Sequence, residues 1–238
     1  MKIFDDYVKN YDFNIDGIKL KYDHSYRVQK IEEELAKSLK LNENDIKLAS
    51  ICGLFHDIAR FEQLRKYNTF DDHLSFDHGD LGYEIIKKDI IDKLALNEEE
   101  KNILLISTKY HNKYTIDNNL GEKTTLFCKL IRDADKIDIL NLFSKHLIAK
   151  DLINGDTSVS INCHNSFMNH KQVSWKDVKT KGDRILVYLA LIWDLNFKRS
   201  FEIIEERKLL AKAKKVMNLP AFDTYFQMLD KKIMEEIC

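Results

Sequence analysis

Proline occurs once in the 238-residue sequence and glycine seven times. β-Sandwiches and barrels rely on many turns that these residues punctuate, so their scarcity argues against both. The four cysteines, Cys52, Cys128, Cys163 and Cys238, form no CxxC pair and no regular spacing. Neither a zinc ribbon nor a disulfide framework is expected, and Cys52 and Cys128 are read as core residues of apolar helices. No long block of one charge sign is present, and the formal net charge is −1. That argues against a nucleic-acid polymer held by a general positive field. The longest apolar stretch, ILVYLALIW at 185–193, is too short to span a bilayer. The first residues, MKIFDDYVKNYDF, are polar and acidic and lack the apolar run of a leader peptide. These absences predict a soluble, cytoplasmic chain with no membrane partner.

What the sequence has instead is Leu, Ile, Lys and Glu at helical spacing, so an all-α fold is expected. A first helix is predicted from about Asp23, with Val28, Ile31, Leu35 and Leu39 as its apolar stripe. Asn44 is the candidate cap of a second, DIKLASICGLFHDIAR. RKYNTFDDHLSFDHG reads as a loop, DLGYEIIKKDIIDKL as a helix, and NEEEKNILLISTKYH as a helix with acids in its first turn. After a second loop, NKYTIDNNLGEK, a long helix covers TTLFCKLIRDADKIDILNLFSKHLIAK. INGDTSVSINCHNSFMNHKQVSW has no period and reads as a long ordered loop. GDRILVYLALIWDL is apolar on most faces and reads as a central buried helix. The tail after Lys198 reads as two amphipathic helices split by Pro220. With no repeat and no clean boundary, the chain is read as one domain over 1–238. Its core is placed at about 21–145, with a C-terminal helical extension over about 182–238.

The stretch ICGLFHDIARFEQ sets His56 and Asp57 side by side where the pattern still reads as a buried helix. Two titratable groups there are costly unless something satisfies them. Adjacent residues on a helix are about 100° apart, so both side chains can reach one point beside it. Imidazole and carboxylate together suit a divalent metal. RDADKID carries Asp133, Asp135 and Asp138 behind an apolar run, and these also need a cation or several donors. His24, the His56–Asp57 pair and an Asp from RDADKID would make a four-ligand site of nitrogen and oxygen.

In this order the motifs resemble the HD-domain superfamily of metal-dependent phosphohydrolases. HSYRV resembles the family's first motif, LFHDIAR its defining His-Asp turn, and RDADKID its closing Asp motif. DHGDLG and STKYHNK resemble two further elements, placing His78 and His111. The resemblance covers about 24–140. It implies a multi-helix bundle in which His24, His56, Asp57 and Asp135 hold one divalent metal ion (Mn, Fe, Co, Ni, Zn or Mg). His78 and His111 would either bind a second metal or contact the substrate phosphate.

A bound divalent ion supplies hydroxide near neutral pH, and the charge developing at phosphorus then needs cations around it. Arg27, Arg60 and Lys136 are the candidate catalytic cations, and Arg27, Arg60 and Lys109 the candidate substrate contacts. The general acid is open among Asp77, Asp80, His73 and His111. Arg60 stands where some nucleotidases of the family carry Glu, and HDIAR lacks the Gly-Tyr-Pro of the cyclic-dinucleotide branch. The expected function is hydrolysis of a small phosphate ester, with a nucleotide as the expected substrate. Two alternatives are a di-iron oxygenase on the same fold and a non-catalytic nucleotide-sensing module.

Overall fold

The computed structural model describes residues 2–145 and 151–238. They fold into α-helices joined by turns, and no strand occurs among them. The order is α1 (Lys2–Val8), α2 (Asp16–Ser38), α3 (Glu43–Phe55), α4 (Ala59–Tyr67), α5 (His78–Ile85) and α6 (Glu98–Tyr110). Then follow α7 (Glu122–Ser144), α8 (Ile161–Met168), α9 (Lys181–Leu189), α10 (Lys198–Glu206), α11 (Leu209–Met217) and α12 (Asp223–Ile237). The chain divides into two compact units, Met1–Ala134 and Asp135–Cys238, and the division falls within α7. No described helix is long and apolar enough to cross a membrane.

In the first unit α2 packs along α3, and α5 along α6. The α2–α3 contact is close because position 53 is glycine. A Cβ there would lie 2.8 Å from the Gln29 Cα, so any side chain would push the two backbones apart. Gly53→Ala is therefore expected to cost about 1–3 kcal/mol of stability. Chemical denaturation with a circular-dichroism readout measures it, and an unchanged midpoint would mean that the helices do not meet there.

The N-terminal residues are more than a polar lead-in. Phe4 and Val8 are fully buried. The Phe4 ring stands edge-on to Phe55, with centroids 5.5 Å apart, and to Phe61 at 6.0 Å. Aromatic docking thus fixes α1 although its surface is acidic.

Several expected boundaries shift. The helix of the first motif begins at Asp16 rather than near Asp23. The cap of α3 is Asn42, whose side chain accepts from the Asp45 N–H, and not Asn44. DIKLASICGLFHDIAR is not one helix: α3 ends at Phe55 and α4 starts at Ala59. α5 opens at His78 and gives way to a wide π-type turn over Ile86–Ile90 and a tight turn over Ile91–Lys93. The final five residues of the expected long helix, 146–150, lie outside the described residues.

In the second unit α8 occupies part of the segment expected to be loop, burying Cys163 and Phe167. The apolar run at 182–195 is helical only to Leu189 and continues as a tighter turn over Ala190–Asp194. The tail holds three helices rather than two. Lys208 takes φ +51°, left-handed, and separates α10 from α11 before Pro220 is reached.

Candidate metal centre

His56, Asp57 and Ile58 form the break between α3 and α4. The carbonyl of Gly53, which a continuing helix would offer to the Asp57 N–H, takes a hydrogen bond from His56 Nδ1 at 2.8 Å. The chain then tightens, with Ile58 N–H donating to Phe55 O and Arg60 N–H to Asp57 O. The end of α6 repeats the device. His111 directly follows that helix, and its Nδ1 donates to Thr108 O at 2.6 Å. His78 opens α5 behind its cap Asp77, and its Nδ1 lies 2.6 Å from Asp72 Oδ2. A carbonyl or carboxylate can only accept, so these three rings carry their proton on Nδ1. Nε2 is left as the lone-pair nitrogen.

All of these Nε2 atoms, with that of His24, converge on Asp57. His24 and His56 lie 3.4 and 3.5 Å from Asp57 Oδ2. His78 and His111 lie 3.4 and 3.6 Å from Oδ1. The imidazoles and the carboxylate are buried. Two Nε2 atoms, of His78 and His111, approach to 2.9 Å. Two lone pairs at that distance need a positive centre, a cation or a shared proton, between or beside them.

The charges fit such a centre. Burial pushes the Asp57 carboxyl pKa up, but the Lys21 ammonium, 2.5 Å from Oδ2, outweighs it, and the value lies well below the ordinary one. Burial, aided by the Arg60 cation, pushes His78 down to about 4, so its ring is neutral near pH 7. Ionised carboxylate and neutral imidazole are the protonation states that bind a divalent ion. The spacing fits as well: two ligands about 2.1 Å from one ion at a tetrahedral angle lie about 3.4 Å apart. Donor atoms of His56, Asp57 and His111 lie within 4.8 Å of one another.

A polar network that sequence reading missed supports the centre. Arg60 Nη1 donates to Gln63 Oε1 at 2.6 Å, Phe70 O at 2.6 Å and Asp72 Oδ1 at 2.9 Å. Gln63, fully buried, donates to Asp72 Oδ1 at 2.9 Å and Ser75 Oγ at 2.7 Å. This ties the 68–77 loop to α4 and presents Asp72 to His78. Asp72→Ala should therefore weaken metal binding about 10- to 100-fold, as loss of a ligand's supporting carboxylate does. Calorimetry checks it, and unchanged affinity would show that the Asp72–His78 pair does not support the ion.

Other expected contacts are placed differently. Arg60, with a 14% exposed side chain, is committed to the loop and reaches Asp57 Oδ1 only through Nε at 3.5 Å. Lys136 is buried and paired with Asp194 Oδ2 at 2.6 Å. Lys109 is half-exposed, 4.0 Å from Asp80 and over the Tyr83 ring. Asp77 caps α5 and binds Lys113 at 2.7 Å; burial raises its pKa, but Lys113 and Asn112 bring the net shift below the ordinary value. That opposes a role for Asp77 as proton donor. His73 is exposed. Arg27 is half-buried on α2, and Asp135 lies on α7 as the first residue of the second unit. Lys21 is the unforeseen cation, with Nζ 2.5 Å from Asp57 Oδ2. Only its place one turn before His24 could have pointed to it.

An all-α unit in which buried histidines gather on a His-Asp turn defines a candidate metal-binding protein. The family model for the HD domain matches residues 22–140, half of the chain, and the chain belongs to the HD-domain family. No curated protein and no solved structure matches the chain.

Proposed function

We propose that the chain is a metal-dependent phosphohydrolase that cleaves a small phosphate ester, with a nucleotide as the favoured substrate. The observation that carries this reading is the convergence of four imidazole Nε2 atoms on the ionised Asp57. His24, His56 and Asp57 are the metal ligands of this reading, and Asp135, from the closing motif, is the fourth. His78 and His111 would hold either a second ion or the substrate phosphate. When bound, a divalent ion lowers the pKa of water and polarises a phosphoryl oxygen.

The chain's own residues then have separate tasks. Asp57 orients the imidazoles and neutralises charge in the buried centre. Lys21 and Arg27 offer positive charge to the phosphate as it accumulates negative charge. Arg60 keeps the 68–77 loop shut against α4, a positioning role in place of a direct phosphate contact. Lys109, half-exposed beside α5, is a contact for the distal part of the substrate. The chain acts in the cytoplasm on a diffusible substrate.

The test is phosphate release from a panel of nucleotides and phosphomonoesters with Mn, Co, Ni, Fe or Mg added. Release is expected from the wild type and not from His56→Ala or Asp57→Ala. No release with any of these metals would overturn the reading. The same carboxylate, flanked by two imidazole pairs, also favours a second reading, a di-iron oxygenase. Anaerobic purification and a spectroscopic search for a coupled iron pair separate the two.

A further inference from the structure

We propose that Lys21 is the centre's built-in counter-ion: its ammonium holds the place of the metal on Asp57 Oδ2, and metal entry displaces it. The inference rests on the metal-centre reading above and concerns how the chain keeps that centre before the ion arrives.

Oδ2 of Asp57 faces three groups. His24 and His56 stand off at 3.4 and 3.5 Å, whereas the Lys21 ammonium sits at 2.5 Å. The oxygen best placed between those two imidazoles is thus already taken by a cation. Lys21 lies three residues before His24 on α2, hence on the same face and one turn away. A buried carboxylate with no positive partner is strongly unfavourable, so a chain without metal needs such a cation. An ion about 2.1 Å from Oδ2 and an ammonium at hydrogen-bond distance from the same oxygen repel each other.

Of the two cations within 4 Å of Asp57 among the described residues, Lys21 is the one able to leave. Arg60 is fixed by Gln63, Phe70 O and Asp72. Lys21 has a flexible four-carbon stem and a 15% exposed side chain, and its ammonium already lies 5.5 Å from the Phe70 ring centre.

The experiment titrates Mn²⁺ into metal-stripped full-length protein by calorimetry and follows melting of both forms. Lys21→Met is expected to bind Mn²⁺ about tenfold tighter or more than wild type, because no resident cation must be expelled. Without metal it is expected to melt below wild type, and with saturating Mn²⁺ to lose that deficit. Lys21→Gln, which keeps length and polarity, should behave alike and serves if Lys21→Met does not fold. Lys21→Arg, which keeps the charge, should show no tightening. Equal or weaker Mn²⁺ binding by both neutral variants, alongside normal binding by wild type, would overturn the inference alone. No Mn²⁺ binding by wild type would overturn the metal-centre reading and this inference with it.

Discussion

Asp57→Ala is expected to lower metal affinity at least about a hundredfold, beyond what loss of a supporting residue costs. The reason is its position. One carboxylate faces His24, His56 and Lys21 with one oxygen and His78, His111 and Arg60 with the other. Removing it deletes one of the two carboxylate ligands of this reading and leaves four imidazoles, Lys21 and Arg60 without the carboxylate that they face. A divalent ion brought there would add to that repulsion. Asp57→Asn separates charge from shape, since it keeps the volume and one acceptor oxygen. It too is expected to lose metal, because a neutral amide binds a hard ion weakly compared with a carboxylate. Calorimetry with far-UV circular dichroism measures both affinity and fold. Near-normal affinity in Asp57→Asn would show that the carboxylate charge does not hold the ion.

The second large effect is expected far from any chemistry, in the second unit. Asp183 is fully buried, and its carboxylate accepts from Ser160 N–H at 2.7 Å, Lys179 N–H at 2.9 Å and Thr180 N–H at 3.2 Å. It thereby joins the start of α8 to the start of α9. Gly182 permits the approach, since a Cβ there would lie 2.2 Å from Ser158 O. Asp183→Ala removes a buried acceptor shared by three part-buried donors and should cost about 1–3 kcal/mol. Both tryptophans, Trp175 and Trp193, lie in this unit, so their fluorescence reports its unfolding in urea. Loss of under about 0.5 kcal/mol, the range of an ordinary surface substitution, would contradict the role.

The same group sets a pH dependence. Burial raises the Asp183 pKa, but the N–H groups of Ser160 and Lys179 outweigh it, and the folded value lies below the ordinary 3.8. A depressed carboxylate stabilises the fold above its unfolded pKa. Its contribution is lost as pH falls below about 4. Asp183→Asn should flatten that part of the acid-unfolding curve.

How much of this was legible in the sequence depends on the type of signal. Helical spacing over Val28, Ile31, Leu35 and Leu39 implied α2 and its buried face; the first three are buried, whereas Leu39 caps the end of the helix and is exposed. The order of His24, His56–Asp57, His78 and His111 implied a single centre, and these side chains do converge. The turn at His56 was illegible because no proline or glycine stands at the break itself. It arises when a side-chain N–H takes the Gly53 carbonyl, a choice made in three dimensions. Lys21, Gln63 and Asp72 were illegible for a related reason. Each is an ordinary polar residue until the folded chain gives it a partner. The left-handed Lys208 was hidden as well, since lysine carries no sign of positive φ.

The central claim is that the buried cluster around Asp57 is built to hold a divalent cation. Elemental analysis of freshly purified wild type, beside Asp57→Ala, tests it most directly. At least one equivalent of a divalent metal per folded chain is expected in wild type and none in Asp57→Ala. Metal-free wild type that stays empty after incubation with excess Mn, Fe, Co, Ni, Zn and Mg would contradict it.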